Sequence, residues 1–149
     1  MGAFLQIRYD TRVMEDTSMN SIGTLLLVED ENVLRGLVAQ FLRGASYHVV
    51  EAADGPEGVA KYADDGPFDL AILDLNLPGF SGVEVCRRIR QARPDQHVMI
   101  CSAAIVRDAE DALLAMGVDH FLTKPYHPEV LLAHVARAMR PKSASSLLV

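Results

Sequence analysis

Phe68-Asp69-Leu70-Ala71-Ile72-Leu73-Asp74-Leu75-Asn76-Leu77-Pro78-Gly79 is the stretch on which the fold turns. Its apolar run, Leu70-Ala71-Ile72-Leu73, is bounded by Gly66-Pro67 before and Pro78-Gly79 after, and reads as a short strand buried on both faces of a parallel sheet. The run delivers one carboxylate, Asp74, and breaks into a loop. Asp74 therefore belongs at the carboxyl end of a strand, the edge where open α/β sheets bind ligands near the point at which strand order reverses. Taken alone, such an aspartate reads first as an Asx-turn residue. The rest of the chain turns it into a candidate reactive group.

Upstream, Thr24-Leu25-Leu26-Leu27-Val28 is a second run of the same kind, followed directly by Glu29-Asp30-Glu31-Asn32. Val33, Leu34, Leu37, Val38, Phe41 and Leu42 recur at helical spacing and are expected to form the inward stripe of a first helix closed by Gly44. Tyr47-His48-Val49-Val50 reads as the next strand, and Asp54 as the cap of a helix with Pro56 in its first turn and Val59, Ala60 and Ala63 facing inward. Downstream, Ser81-Gly82-Val83-Glu84 fits a capping box that starts a helix through Val85, Cys86 and Ile89, with a turn at Pro94-Asp95. Residues 97–101 form a fourth strand, Ala109, Ala112, Leu113 and Met116 the stripe of a helix stopped by Gly117, and residues 119–122 a fifth strand. Thr123-Lys124-Pro125 follows, then a last helix over residues 128–140 with Leu131, Leu132, Val135 and Met139 inward. Strands alternating with helices in this way imply right-handed crossovers and a doubly wound α/β domain with a five-stranded parallel sheet and five helices.

The chain of 149 residues has the size of one domain. Residues 1–22 lack a clear period and read as an N-terminal extension outside the core, either a mobile arm or the product of a start codon placed too far upstream. Residues 23–140 are the expected domain and 141–149 a short tail. Twenty acidic against 14 basic residues give a formal charge of −6, which disfavours direct nucleic-acid binding. Cys86 and Cys101 lie inside apolar segments without metal-ligand spacing and read as buried thiols. No apolar run is long enough to span a bilayer, and neither a signal peptide nor a myristoylation pattern is present, so a cytoplasmic protein without membrane contact is expected.

The topology should gather Glu29, Asp30, Asp74, Ser102 and Lys124 on one edge, because all flank strand ends. Each has a plainer reading: the acidic cluster as a helix N-terminal charge group, Ser102 as a turn residue, Lys124 as a solvated charge. Their order along the chain, acid pair, aspartate, serine, lysine-proline, makes coincidence a poor explanation. Crowded carboxylates must raise one another's pKa or share a hard cation with oxygen ligands, and Mg²⁺ suits such a site. Asp74 would then attack a phosphoryl group as a carboxylate nucleophile, with Lys124 and the Ser102 hydroxyl holding its oxygens.

On these residues the sequence resembles a response regulator receiver domain, the phospho-accepting module of two-component signalling, over residues 24–140. The resemblance implies a flavodoxin-like, CheY-like sheet of order 2-1-3-4-5. It also implies phosphorylation of Asp74, direct binding of Mg²⁺ by Asp30, a contact from Glu29 through a metal-bound water, and a backbone carbonyl ligand from Asn76. Ser102 and Phe121 would be the switch pair, and Lys124 would precede Pro125 through a cis bond. Implied partners are a sensor histidine kinase or phosphotransfer protein and an unknown output protein, with no activity beyond self-phosphorylation and autodephosphorylation. A weak homodimer through the fourth helix, fifth strand and fifth helix is the expected self-association, although His120, Val130 and His134 stand where dimerising receivers carry charges.

Three other readings compete. One is a receiver severed from a DNA-binding or enzymatic output domain. Another is an aspartate-nucleophile phosphatase of the haloacid dehalogenase type, but Asn76 stands where that family needs a second aspartate. An FMN carrier would need an anion-welcoming loop in place of Glu29-Asp30-Glu31.

Overall fold

The computed structural model describes residues 21–140; the expected extension, apart from Ser21 and Ile22, and the expected tail lie outside the described residues. The chain alternates β1 (Thr24–Val28), α1 (Asn32–Gly44), β2 (His48–Ala52), α2 (Gly55–Asp65), β3 (Leu70–Leu73), α3 (Gly82–Ala92), β4 (Val98–Ser102), α4 (Arg107–Ala115), β5 (His120–Thr123) and α5 (Pro128–Ala138). All pairings are parallel and the strand order is β2-β1-β3-β4-β5, as expected for a doubly wound sheet. β2, β4 and β5 begin one residue later than expected and also end later, because a parallel ladder is fixed by its neighbours: Ser102, which reads as a turn residue, pairs with Thr123. No helix among the described residues is long and apolar enough to cross a membrane.

Two apolar layers lie on the two faces of the sheet. One packs Leu26, Val28, Ala71, Leu73 and Ile100 against α2, α3 and α4 through Tyr62, Val85, Ile89 and Leu113. The other packs Leu25, Leu27, Leu70, Ile72 and Met99 against α1 and α5 through Val38, Leu42, Leu131 and Val135. Alternate residues of β1 and β3 thus serve opposite layers, the period-2 behaviour that continuous apolar strands conceal.

Two helix faces differ from expectation. α1 buries Val38, Ala39 and Leu42 and half-buries Leu34, whereas Val33, Leu37 and Phe41 point to solvent. Six apolar residues on a 13-residue helix cover more than one face, and small Ala39 took the place in the core that sequence reading gave to its larger neighbours. α2 buries Gly55, Gly58 and Tyr62, leaving Ala60 and Ala63 exposed, because a Cβ at position 58 would stand 2.9 Å from Val28 and only glycine lets the helix lie so close to β1. The capping box at α3 is half formed: Ser81 Oγ accepts from the Glu84 N–H, but the Glu84 carboxylate turns to Arg87 and Arg88.

The amino ends of the strands are clamped by a buried amide. Gln96 Oε1 accepts from the Tyr62 hydroxyl at 2.7 Å and the Phe68 N–H at 3.2 Å, and its Nε2 donates to the carbonyls of Phe68 and His97. Beside it, Asp69 Oδ2 accepts from the Thr24 N–H at 2.8 Å. Every polar atom of this glutamine is satisfied, which is the condition for burying one.

Glycine sets the loop after β3. The Gly82 N–H donates to the Leu75 carbonyl at 2.9 Å, and a Cβ there would collide with the Asp74 carbonyl oxygen and stand 2.8 Å from Leu75 Cα. Gly36, on the exposed face of α1, has nothing within 4 Å of a built Cβ. Urea unfolding should therefore separate the two: Gly82→Ala is expected to lose about 2–3 kcal/mol by overpacking against backbone, and Gly36→Ala to gain about 0.5–1 kcal/mol from helix propensity. Burial also pushes the thiols of Cys86 and Cys101 up to about 11. Iodoacetamide at pH 8 should alkylate both at least roughly 100-fold more slowly in the native protein than in denaturant, since only the thiolate reacts.

Candidate functional site

The carboxyl ends of β1, β3, β4 and β5 deliver Glu29, Asp74, Ser102 and Lys124 to one edge of the sheet. The cause is the strand register: Val28 pairs with Leu73, so Glu29 and Asp74 emerge side by side, and Leu73 pairs with Ile100, two residues before Ser102, whose partner Thr123 precedes Lys124. Backbone bonds continue the pairing past the strands, with the Glu29 N–H on the Ala52 carbonyl, the Asp74 N–H on the Val28 carbonyl and the Lys124 N–H on the Ser102 carbonyl.

Asp74 is buried, and each carboxylate oxygen has its own donors. Oδ1 accepts from Ser102 Oγ at 2.9 Å and from the Asn76 N–H at 3.2 Å; Oδ2 accepts from Lys124 Nζ at 2.8 Å. The Asn76 contact is an Asx turn, so the plain reading of Asp74 and the functional one are both true of the same side chain. Lys124 Nζ also reaches Glu29 Oε1, forming a bridge between the buried carboxylates. Glu29 Oε2 accepts from the Glu31 N–H at 3.2 Å. Oxygens of Glu29, Asp30 and Asp74 lie within 4.8 Å of one another, with Asp30 exposed at the rim.

The two buried carboxyls differ in their titration. Burial pushes the Asp74 carboxyl up, but hydrogen bonds from Lys124 and Ser102 outweigh it and hold the pKa below the ordinary value. Burial prevails at Glu29 and raises its pKa despite the Lys124 contact. Burial alone would lower the Lys124 pKa; Asp74 and Glu29 reverse that and raise it, so the ammonium is held charged. The arrangement therefore keeps an ionised, oriented carboxylate beside a cation and a hydroxyl donor. These are the parts that nucleophilic attack on an electrophilic phosphorus requires.

Every residue singled out from sequence for this edge is present on it. Phe121, on β5 three residues before Lys124, is half-buried against the α3/α4 layer and paired with Ile100. Lys124-Pro125 is cis as the resemblance implied; Gly66-Pro67 is cis as well. Sequence reading missed the supports. Arg35 of α1 donates to the Glu29 carbonyl at 2.8 Å and approaches Glu51 of β2, fixing the end of β1 from outside. Gly55 admits the loop after β3, since a Cβ there would stand 2.6 Å from the Phe80 carbonyl oxygen, and its N–H donates to the Pro78 carbonyl. The tightly spaced glycines at helix starts were the only signal.

A donor set of carboxylate oxygens suits a hard cation and gives no soft or imidazole ligand among the clustered residues. The family model for the response regulator receiver domain matches residues 25–136. The sensory transduction protein RegX3 of Mycolicibacterium smegmatis is 37% identical over 120 residues, covering 78% of this chain and 50% of RegX3. The transcriptional regulatory protein ResD of Bacillus subtilis is 32% identical over 122 residues, covering 82% of this chain and 50% of ResD. The chain thus spans about half the length of these curated relatives. Among solved structures, a CheY-like response regulator receiver domain protein from Methanospirillum hungatei JF-1 superposes with a TM-score of 0.75 at 27% identity, over 80% of this chain and 94% of that one. A sheet of order 2-1-3-4-5, matched from its first strand into its last helix, leaves one assignment: this chain belongs to the response regulator receiver domain family.

Proposed function

We propose that the chain is a phospho-accepting receiver of a two-component or phosphorelay system, with Asp74 as the acceptor. The observation that carries this reading is the separate engagement of the two Asp74 oxygens by Ser102 and Lys124 at the end of β3. One Asp74 oxygen bonds to phosphorus as the P–N bond of a phosphohistidine donor breaks, giving an acyl phosphate while the leaving imidazole takes up a proton. Lys124 neutralises charge on the transferred group and Ser102 donates to one of its oxygens. Lys124 also keeps Asp74 ionised and oriented before the donor arrives.

Asp30 and Asp74 would hold Mg²⁺ directly with the Asn76 backbone carbonyl, and Glu29 would reach it through water. When bound, the ion supplies charge neutralisation for the phosphoryl oxygens and a fixed point for their orientation. Once Asp74 carries phosphate, Ser102 is drawn toward it and Phe121 turns further into the core, reshaping the surface of α4, β5 and α5. Phe121 has no hydroxyl, so its inward preference comes from packing alone. A sensor histidine kinase or phosphotransfer protein supplies the phosphoryl group in the cytoplasm, and an output protein reads the altered surface. Self-association through α4, β5 and α5 is weak, because His120, Val130 and His134 replace charges there. The only chemistry is the chain's own phosphorylation and hydrolysis.

Intact-protein mass after incubation with acetyl phosphate and Mg²⁺ tests this directly. A single labile phosphoryl adduct is expected on the native chain and absent from Asp74→Ala and from an EDTA control; a native chain that stays unmodified overturns the reading. Lys124→Ala should form the same adduct about 100-fold more slowly, the scale set by removing one charge-stabilising donor.

A further inference from the structure

A cavity of about 360 Å³, within the range of small-ligand sites, is lined by Glu31, Leu34, Ala103, Lys124, Pro125 and Tyr126. Two of these residues set its place relative to Asp74. Lys124 Nζ lies 2.8 Å from Asp74 Oδ2, and Ala103 directly follows Ser102, whose Oγ lies 2.9 Å from Oδ1. The cavity therefore opens beside the acceptor.

Its walls offer little to a polar ligand. Leu34 and Ala103 present hydrocarbon, Pro125 has no N–H to donate, and the Tyr126 hydroxyl is hydrogen-bonded to buried Cys101. The Lys124 ammonium is shared between Asp74 and Glu29. What remains is an apolar surface with the exposed Glu31 carboxylate at its rim. An imidazole laid against that surface would lose the hydration of its ring nitrogens without gaining a partner, whereas an aliphatic chain has nothing to lose. A chain ending in a second carboxylate would be repelled by Glu31. The room depends on position 103 being small, since a longer side chain there would stand in the cavity.

We propose that this cavity receives the hydrocarbon of a free acyl phosphate, so that the domain takes phosphate from short, uncharged aliphatic acyl phosphates and favours those longer than acetyl phosphate. The inference rests on the reading of Asp74 as the acceptor and adds a second class of donor to it. An Asp74 oxygen bonds to phosphorus while the bond between phosphorus and the acyl oxygen breaks. The carboxylate anion leaves with the electron pair, and no proton has to move. Leu34, Ala103 and Tyr126 hold the hydrocarbon meanwhile, which makes them specificity-determining residues for the donor.

The test follows intact-protein mass over time, with Mg²⁺ and equal, subsaturating concentrations of acetyl, propionyl or butyryl phosphate. Each initial rate of adduct formation is divided by that donor's own rate of hydrolysis. Butyryl phosphate should modify the native protein roughly tenfold faster than acetyl phosphate, the scale of burying two methylene groups, with propionyl phosphate between them. Ala103→Leu, which fills the cavity from an exposed position, and Leu34→Asn, which makes the facing wall polar, should each bring the ratio of butyryl to acetyl rates close to one. Equal rates from the three donors on the native protein, or a ratio that both variants leave in place, overturn the inference while the adduct itself upholds Asp74 as acceptor. No adduct from any donor overturns both.

Discussion

One ammonium group holds the working edge of this domain together. Lys124 Nζ lies between Glu29 and Asp74, and these carboxylates, with Asp30 beside them, crowd within 4.8 Å. Two like charges at that distance repel by roughly 3.5 kcal/mol at the effective dielectric of a protein surface. The cation converts that repulsion into a pair of attractions, and does so from β5, the strand farthest from β1 among those that contribute to the site. Its position therefore depends on every pairing between β1 and β5 being in register. A slip of one residue anywhere in that series would carry a carboxylate or the lysine to the other face of the sheet.

The strands were legible because burial on both faces leaves an unbroken apolar run, as in Leu70-Ala71-Ile72-Leu73, and their order along the chain fixed which polar residues would meet. Glu29, Asp30, Asp74, Ser102 and Lys124 could be gathered on paper for that reason alone. What stayed hidden was any choice made by tertiary contact. Val33, Leu37 and Phe41 are no less apolar than Val38 and Leu42, and only the sheet beneath α1 decides which row is inside. Likewise Tyr62 is the large inward residue of α2, though the alanines around it repeat more regularly.

The supports of the site were hidden for a different reason. Gly55 and Gly82 matter through the side chains they lack, next to backbone atoms that are distant in sequence or lie across a loop. Arg35 acts through its reach to a carbonyl, Glu29 O, which no side-chain pattern reports. Asp74 shows the converse: its turn-forming bond to the Asn76 N–H and its contacts with Ser102 and Lys124 coexist, so a structural and a chemical explanation were never alternatives.

The Gln96 clamp gives the sheet two unlike ends. At the amino ends of the strands, one neutral amide ties α2 to the residues that lead into β3 and β4 through hydrogen bonds alone. At the carboxyl ends, position depends on a balance of full charges. A change in charge at Asp74, such as the proposed phosphorylation would bring, thus meets a balance of charges at one end of the sheet and a neutral hydrogen-bond network at the other. Under the proposed phosphorylation, displacement would fall on the loops that carry Asn76, Ala103 and Pro125, at the end of the sheet that the Gln96 network does not tie.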